Sequence, residues 1–95
     1  MNHEIAEKVA FVLKAVAHPI RLQIIEVLEH GELCVGEITD RIGIQQAVIS
    51  QQLSLMKDKD ILTCRREGHN VYYRIQNDNV IKLLQCVYDH CNQKR

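Results

Sequence analysis

Nowhere in these 95 residues does an apolar run approach the roughly 20 residues that a membrane span requires. The first eight residues lack the apolar stretch of a secretory signal, so the expectation is a soluble, cytoplasmic protein. The four cysteines, Cys34, Cys64, Cys86 and Cys91, form no C-x-x-C pair. Without a secretory context this excludes a disulfide framework and leaves thiols whose default role is packing. No repeat, linker or low-complexity segment interrupts the chain. It has no nucleophile elbow, phosphate-binding loop or paired-carboxylate motif, and a chain this short encloses no sizeable pocket, so an enzyme is not expected. An excess of either charge is missing too: 12 basic and 12 acidic side chains cancel, which argues against a protein that coats nucleic acid non-specifically.

What is present is a globular composition, 46% hydrophobic and 25% charged, organised as one domain over residues 1–95. So small a domain buries a modest fraction of its surface alone, and a partner subunit is expected to supply the rest. The charge is unevenly placed. Residues 1–43 carry seven acidic and four basic side chains, residues 44–76 three and five, and residues 77–95 two and three. The positive charge therefore falls on the middle and end of the chain.

The middle holds the most informative pattern. Ile44, Val48, Ile49, Leu53 and Met56 recur at the spacing of one helical face, leaving Gln46, Ala47, Ser50, Gln51 and Ser54 on the other. A face of Gln, Ala and Ser, free of bulky charges, suits a helix lying deep in a DNA major groove, where Gln bonds adenine and Ser bonds several base edges. Two β-patterned runs follow, Leu62 to Arg66 and Val71 to Ile75, joined by Glu67-Gly68-His69-Asn70 as a hairpin turn. A groove-reading helix followed by a basic hairpin is the layout of a winged helix-turn-helix.

The remaining segments fit around that unit. Ile5, Val9, Val12, Leu13 and Val16 form a helical stripe that stops at Ala17-His18-Pro19, because Pro disfavours helix in the residue before it. Pro19 opens a second helix, with Ile20, Ile24, Val27 and Leu28 inward and a stop at Gly31. Arg21 reads as a solvated charge or a surface partner of Glu26 or Glu29. Glu32 to Cys34 is a short strand available to pair with the hairpin. Val35 to Ile42 forms a third helix, and Gly43 supplies the tight turn before the reading helix. After the hairpin, Val80, Leu83, Leu84, Val87, Tyr88 and Cys91 repeat at helical spacing, with Asn77 or Asp78 as the N-cap. The first and last helices carry more apolar surface than the small core can cover, which makes them the expected homodimer surface.

Three segments resemble one known family. Residues 13–38 contain His18-Pro19-x-Arg21-Leu22, residues 48–62 contain Ser50-x-x-Leu53, and residues 65–75 contain Arg65-Arg66-x-Gly68-x-x-x-Tyr72-Tyr73. In this order and spacing they are similar to the ArsR/SmtB family of bacterial winged-helix repressors. The resemblance covers nearly the whole chain. It implies a mainly α fold with a small β-hairpin, ordered α-α-α-α-β-β-α, dimeric through its first and last helices. It further implies a transcriptional repressor that binds double-stranded DNA at a near-palindromic operator and is released by an effector. The reading positions fall on Gln46, Ala47, Ser50 and Gln51, and the wing positions on Arg65, Arg66, Gly68, His69 and Asn70, with Lys57 as a further phosphate contact. Gln45 stands where the family often has a capping Ser, and Gln52 where it often has His, so the operator sequence does not carry over. The rival reading is a winged-helix protein-interaction module.

The resemblance leaves the effector open between a metal ion, thiol oxidation and no sensing by the cysteines at all. One family metal site uses a Cys-x-Cys pair where this chain reads Cys34-Val35-Gly36. Another uses Asp and His at the start of the last helix and two His near its end, where this chain offers Asp78, His90 and Cys91. Cys86 and His90, four residues apart, share a helical face and form half a site that His3 or a second subunit completes. For a thiol switch, Cys34 would pair with Cys86 or Cys91, which requires Cα atoms within about 7 Å.

Overall fold

The computed structural model describes residues 1–92. Five helices and three short strands follow one another as α1 (His3–Val16), α2 (Pro19–Val27), β1 (Leu33–Cys34), α3 (Val35–Ile42), α4 (Gln46–Asp58), β2 (Leu62–Glu67), β3 (Asn70–Ile75) and α5 (Asn79–Cys91). The expected order is present, and the short strand expected at Glu32 to Cys34 forms as the two-residue β1. It pairs with β3, giving an antiparallel sheet in the order β1-β3-β2.

The breaks between elements follow local chemistry. The side chain of Asn2 caps α1 by accepting the Ile5 N–H at 2.8 Å. His18 does the same for α2, its Nδ1 accepting the Ile20 N–H at 3.1 Å, while Pro19 occupies the first helical position, where no N–H is needed. The His-Pro pair is thus a stop and a start in two residues. Gly43 closes α3 in the left-handed conformation, φ 80°, with its N–H on the Thr39 carbonyl at 2.8 Å. The end of α4 is less legible, because Asp60 and not a glycine takes the left-handed position, φ 62°. Its N–H bonds the Lys57 carbonyl and the Ile61 N–H bonds the Met56 carbonyl, both at 3.0 Å. These are the two bonds of a Schellman motif, and the buried Met56 and Ile61 complete it. Of the two residues expected to cap α5, Asp78 holds the N-cap position without a side-chain hydrogen bond, and the side chain of Asn77 accepts the Asn79 N–H at 2.9 Å.

The hairpin is longer than its β-patterned runs suggested. Glu67 and Asn70 are themselves paired, so only Gly68 and His69 form the loop. Gly68 has φ 62°, as the first central residue of a type II′ turn requires.

The core gathers one face from every central element: Ile24, Ile25 and Leu28, then Ile38, then Ile49, Leu53 and Met56, then Leu62 and Ile75. Burying one such side chain contributes about 1.5–3 kcal/mol. Helix α1 adds only its last turn, Ala15 and Val16, and α5 only Val80 among its fully buried residues. No described helix is long and apolar enough to cross a membrane.

Candidate nucleic-acid interface

Helix α4 sits at the centre of this arrangement because its two faces differ so completely. Ile49, Leu53 and Met56 are fully buried, at the i, i+4, i+7 spacing of one stripe. On the opposite side Gln46, Ala47, Gln51 and Ser54 are exposed and Ser50 is half-buried. The structure therefore brings the four residues expected to read DNA onto one surface. Lys57 is exposed in the last turn of the same helix.

No side chain caps the start of α4: Gln45 holds the position without a side-chain hydrogen bond. Its backbone carbonyl accepts from Val48 and Ile49, each at 3.1 Å. The departure from a capping Ser noted in the sequence therefore leaves the first N–H groups of α4 without a side-chain acceptor.

Two long-range contacts position the unit, and spacing alone did not reveal either. Arg21 is neither solvated nor paired with Glu26 or Glu29. Its Nε donates to Gln52 Oε1 at 2.8 Å and a terminal nitrogen donates to the Ala15 carbonyl at 3.2 Å. One guanidinium thus ties the end of α1, the start of α2 and the middle of α4 together. Gln52, which sequence reading marked only as a departure, is the acceptor that makes this tie. Partners 31 residues apart leave no local signal.

The second contact concerns the wing. Adjacent residues of a strand point to opposite faces, so Arg65 and Arg66 part company. Arg66 is exposed on the face of Cys64 and makes no ion pair among the described residues. His69 and Asn70 are exposed at the tip. Arg65 lies on the outer face with Glu67 and with its cross-strand partner Tyr72. Its Nε bonds both carboxylate oxygens of Glu32 at 3.0 Å, and a terminal nitrogen meets Glu67 at 2.7 Å. The guanidinium also lies 4.8 Å from the centre of the Tyr72 ring. The hydrogen bond from Arg65 holds the Glu32 carboxyl below its ordinary range. On the other face, burial pushes the Tyr73 hydroxyl up.

The proposed effector residues are not gathered in the same way. All four cysteines are free thiols, Cys34 and Cys64 half-buried and Cys86 and Cys91 exposed. Cys34 is the N-cap of α3, its N–H donating to Glu37 at 3.0 Å. That backbone bond, with a smaller contribution from the thiol, lowers the Glu37 carboxyl. His90 is exposed on α5 beside Cys91. Among the described residues no three His, Cys, Asp or Glu side chains come together as a metal site within one chain. His3 instead faces Glu7 on its own helix at 3.6 Å. The surface is also less smooth than the short sequence suggested: an open groove of about 640 Å³ runs between α2 and α5, lined by Leu22, Ile25, Ile81 and Leu84 among others.

Helix α3, the Gly43 turn, a helix α4 with a small polar outer face and a two-stranded wing define the winged helix-turn-helix class of DNA-binding proteins. Comparison with known proteins narrows the class. Residues 18–63 match the arsR family of bacterial regulatory proteins. The chain is 37% identical over 83 residues to the biofilm growth-associated repressor of Agrobacterium fabrum (strain C58), a stretch covering 87% of this chain and 71% of that protein. It superposes on the crystal structure of the transcriptional repressor BigR from Xylella fastidiosa with a TM-score of 0.85 and 34% identity, over 99% of this chain and all of that one. A homodimeric winged helix-turn-helix DNA-binding domain from Mycobacterium bovis aligns with a TM-score of 0.77 and 31% identity, over 97% of this chain and 92% of that one. The chain belongs to the arsR family and is a transcriptional regulator of that type.

Proposed function

We propose that the protein is a homodimeric repressor holding a near-palindromic DNA operator through α4 and the wing, and that an effector releases it. The observation that carries this reading is the face of α4: Gln46, Ala47, Ser50 and Gln51 stand outward from a helix whose opposite side is locked into the core. Such a surface fits a groove and reads base edges, with Gln51 and Gln46 as the adenine-type readers. Lys57, Arg66, His69 and Asn70 supply contacts to the backbone and the neighbouring groove.

Dimerisation follows from the ends of the chain. Among the described residues, eight of the ten exposed large hydrophobic side chains lie on α1 and α5, a concentration that a lone soluble domain does not sustain. The Mycobacterium bovis domain is described as homodimeric, and the Agrobacterium and Xylella relatives are named as repressors. Two-fold symmetry places the half-site centres about one helical turn apart. Residues 1–95 act as a single domain, in the cytoplasm, with no catalytic role. The effector acts on the cysteines: Cys86, His90 and Cys91 lie exposed on α5, where a shared metal ion or thiol oxidation alters the dimer, and Cys34 caps the start of α3, the helix that the Gly43 turn joins to α4.

The test is selection of duplex DNA from a random pool by the purified protein, followed by titration across salt concentrations. A near-palindromic consensus with a steep inverse salt dependence is expected. Adding diamide or a panel of divalent ions to the complex then tests release. No enrichment over the pool would discard the DNA-binding reading in favour of a protein-interaction module.

A further inference from the structure

The two adjacent arginines of β2 look equivalent as a sequence, and the fold separates them. Arg65 is held by three groups from three places: Glu32, ahead of β1; Glu67, two residues on along β2; and the ring of Tyr72 on β3. Its side chain spans the sheet, from β2 across β3 to the corner that precedes β1 and α3. A single exposed ion pair does little, because holding two long side chains in one geometry offsets the modest attraction in water. Here the geometry is the favourable exception. The guanidinium approaches Glu32 with its planar fork, meets a second carboxylate, and has its plane fixed against an aromatic ring. Glu32 is also the more covered partner, its side chain 32% exposed against 50% for Arg65.

We propose that Arg65 is a positioning residue of the wing and not a phosphate ligand. It cross-braces the hairpin to the corner carrying Glu32, and so sets the angle at which Arg66, His69 and Asn70 are presented beside α4. This deepens the DNA-binding reading and rests on it. Two carboxylates already neutralise the Arg65 charge, so a phosphate would have to displace Glu32 or Glu67 to reach it. Arg66, one residue on and facing the other way, makes no ion pair among the described residues and stays available to DNA.

The two roles make opposite predictions for Glu32. If Arg65 were a phosphate contact, Glu32→Gln would free it and remove a negative charge from the surface, so binding would tighten. As a brace, Glu32→Gln loosens the wing and binding weakens despite the more favourable charge. The experiment compares wild type, Arg65→Ala, Glu32→Gln and the exchanged pair Arg65→Glu/Glu32→Arg. One readout is amide hydrogen exchange of the free proteins; the other is affinity, across salt concentrations, for the duplex selected by wild type.

Both single variants are expected to speed exchange in β2 and β3 while leaving α2 and α4 protected. Each should weaken DNA binding roughly three- to fivefold, the scale of a well-formed surface network, with the salt slope unchanged. The exchanged pair should recover part of both. Tighter binding by Glu32→Gln, or a salt slope reduced by about one in Arg65→Ala, would overturn the proposal, as would unchanged wing exchange in both variants. Exchange is read without DNA, so a wild type that selects no duplex defeats the functional reading, and the bracing role with it, even where the clamp itself is detected.

Discussion

Helix α4 hides Ile49, Leu53 and Met56 completely, whereas α1, one residue longer, buries only Ala15 and Val16 and leaves Ile5, Val9, Phe11, Val12 and Leu13 at the surface. Helix α5 resembles α1, with Val80 buried and Leu83, Val87 and Tyr88 exposed. All three helices are amphipathic, so each has an apolar face to bury. The difference is what each apolar face meets. The face of α4 meets α2, α3 and β2 within its own chain, and the faces of α1 and α5 extend past the edge of that core. The middle of the molecule is complete in one copy, whereas the two ends leave apolar faces uncovered, the faces assigned above to the proposed dimer.

Several changes would break or sharpen that contrast. The largest effect is expected from Val87→Glu, which places an unpaired charge in the proposed apolar interface at a cost of several kcal/mol. Sedimentation should show a dimer for wild type and a monomer for the variant at micromolar concentration, with helix and hairpin content retained. A variant that remains dimeric would move the interface off α5. Leu53→Ala attacks the complete region instead and should lose about 2–5 kcal/mol, measured by chemical denaturation, with the native protein still associating as wild type does.

Within the reading unit the effects are smaller and differ in kind. Gln51→Ala should lose roughly 1–3 kcal/mol on the selected operator and relax base preference. Arg66→Ala should weaken all duplexes similarly and flatten the salt slope by about one. Equal loss of base preference in both would undo the division between helix and wing. Asp60→Gly should stabilise the protein by roughly 1 kcal/mol, because it relieves an L side chain in the left-handed position of the α4 Schellman motif. A lower melting temperature would contradict that assignment.

The smallest effect is one of pH. The Glu37 carboxyl is lowered from the ordinary 4.5 by the Cys34 N–H. Its contribution to stability is thus present above that value and is lost as pH falls through the folded-state pKa. Glu37→Gln should make stability less sensitive to acid over that window, as followed by denaturation at stepped pH.

Much of this architecture could be read from spacing. The boundaries of α3, the Gly43 turn, the hairpin and the two-faced α4 depend on residues within a turn or two of one another, and periodicity records such relations directly. The unmatched stripes of α1 and α5 were legible for the same reason. Other features lie beyond that range. Asp60 closes α4 without a glycine because the bonds of Met56 and Lys57 and the burial of Ile61 hold it there. Arg21 reaches Gln52, and Arg65 reaches Glu32, across 31 and 33 residues. A charged side chain looks the same in sequence whether it faces water, a phosphate or a carboxylate from another part of the chain. Local pattern decides which face of an element is apolar, and only packing decides which distant group the polar face meets.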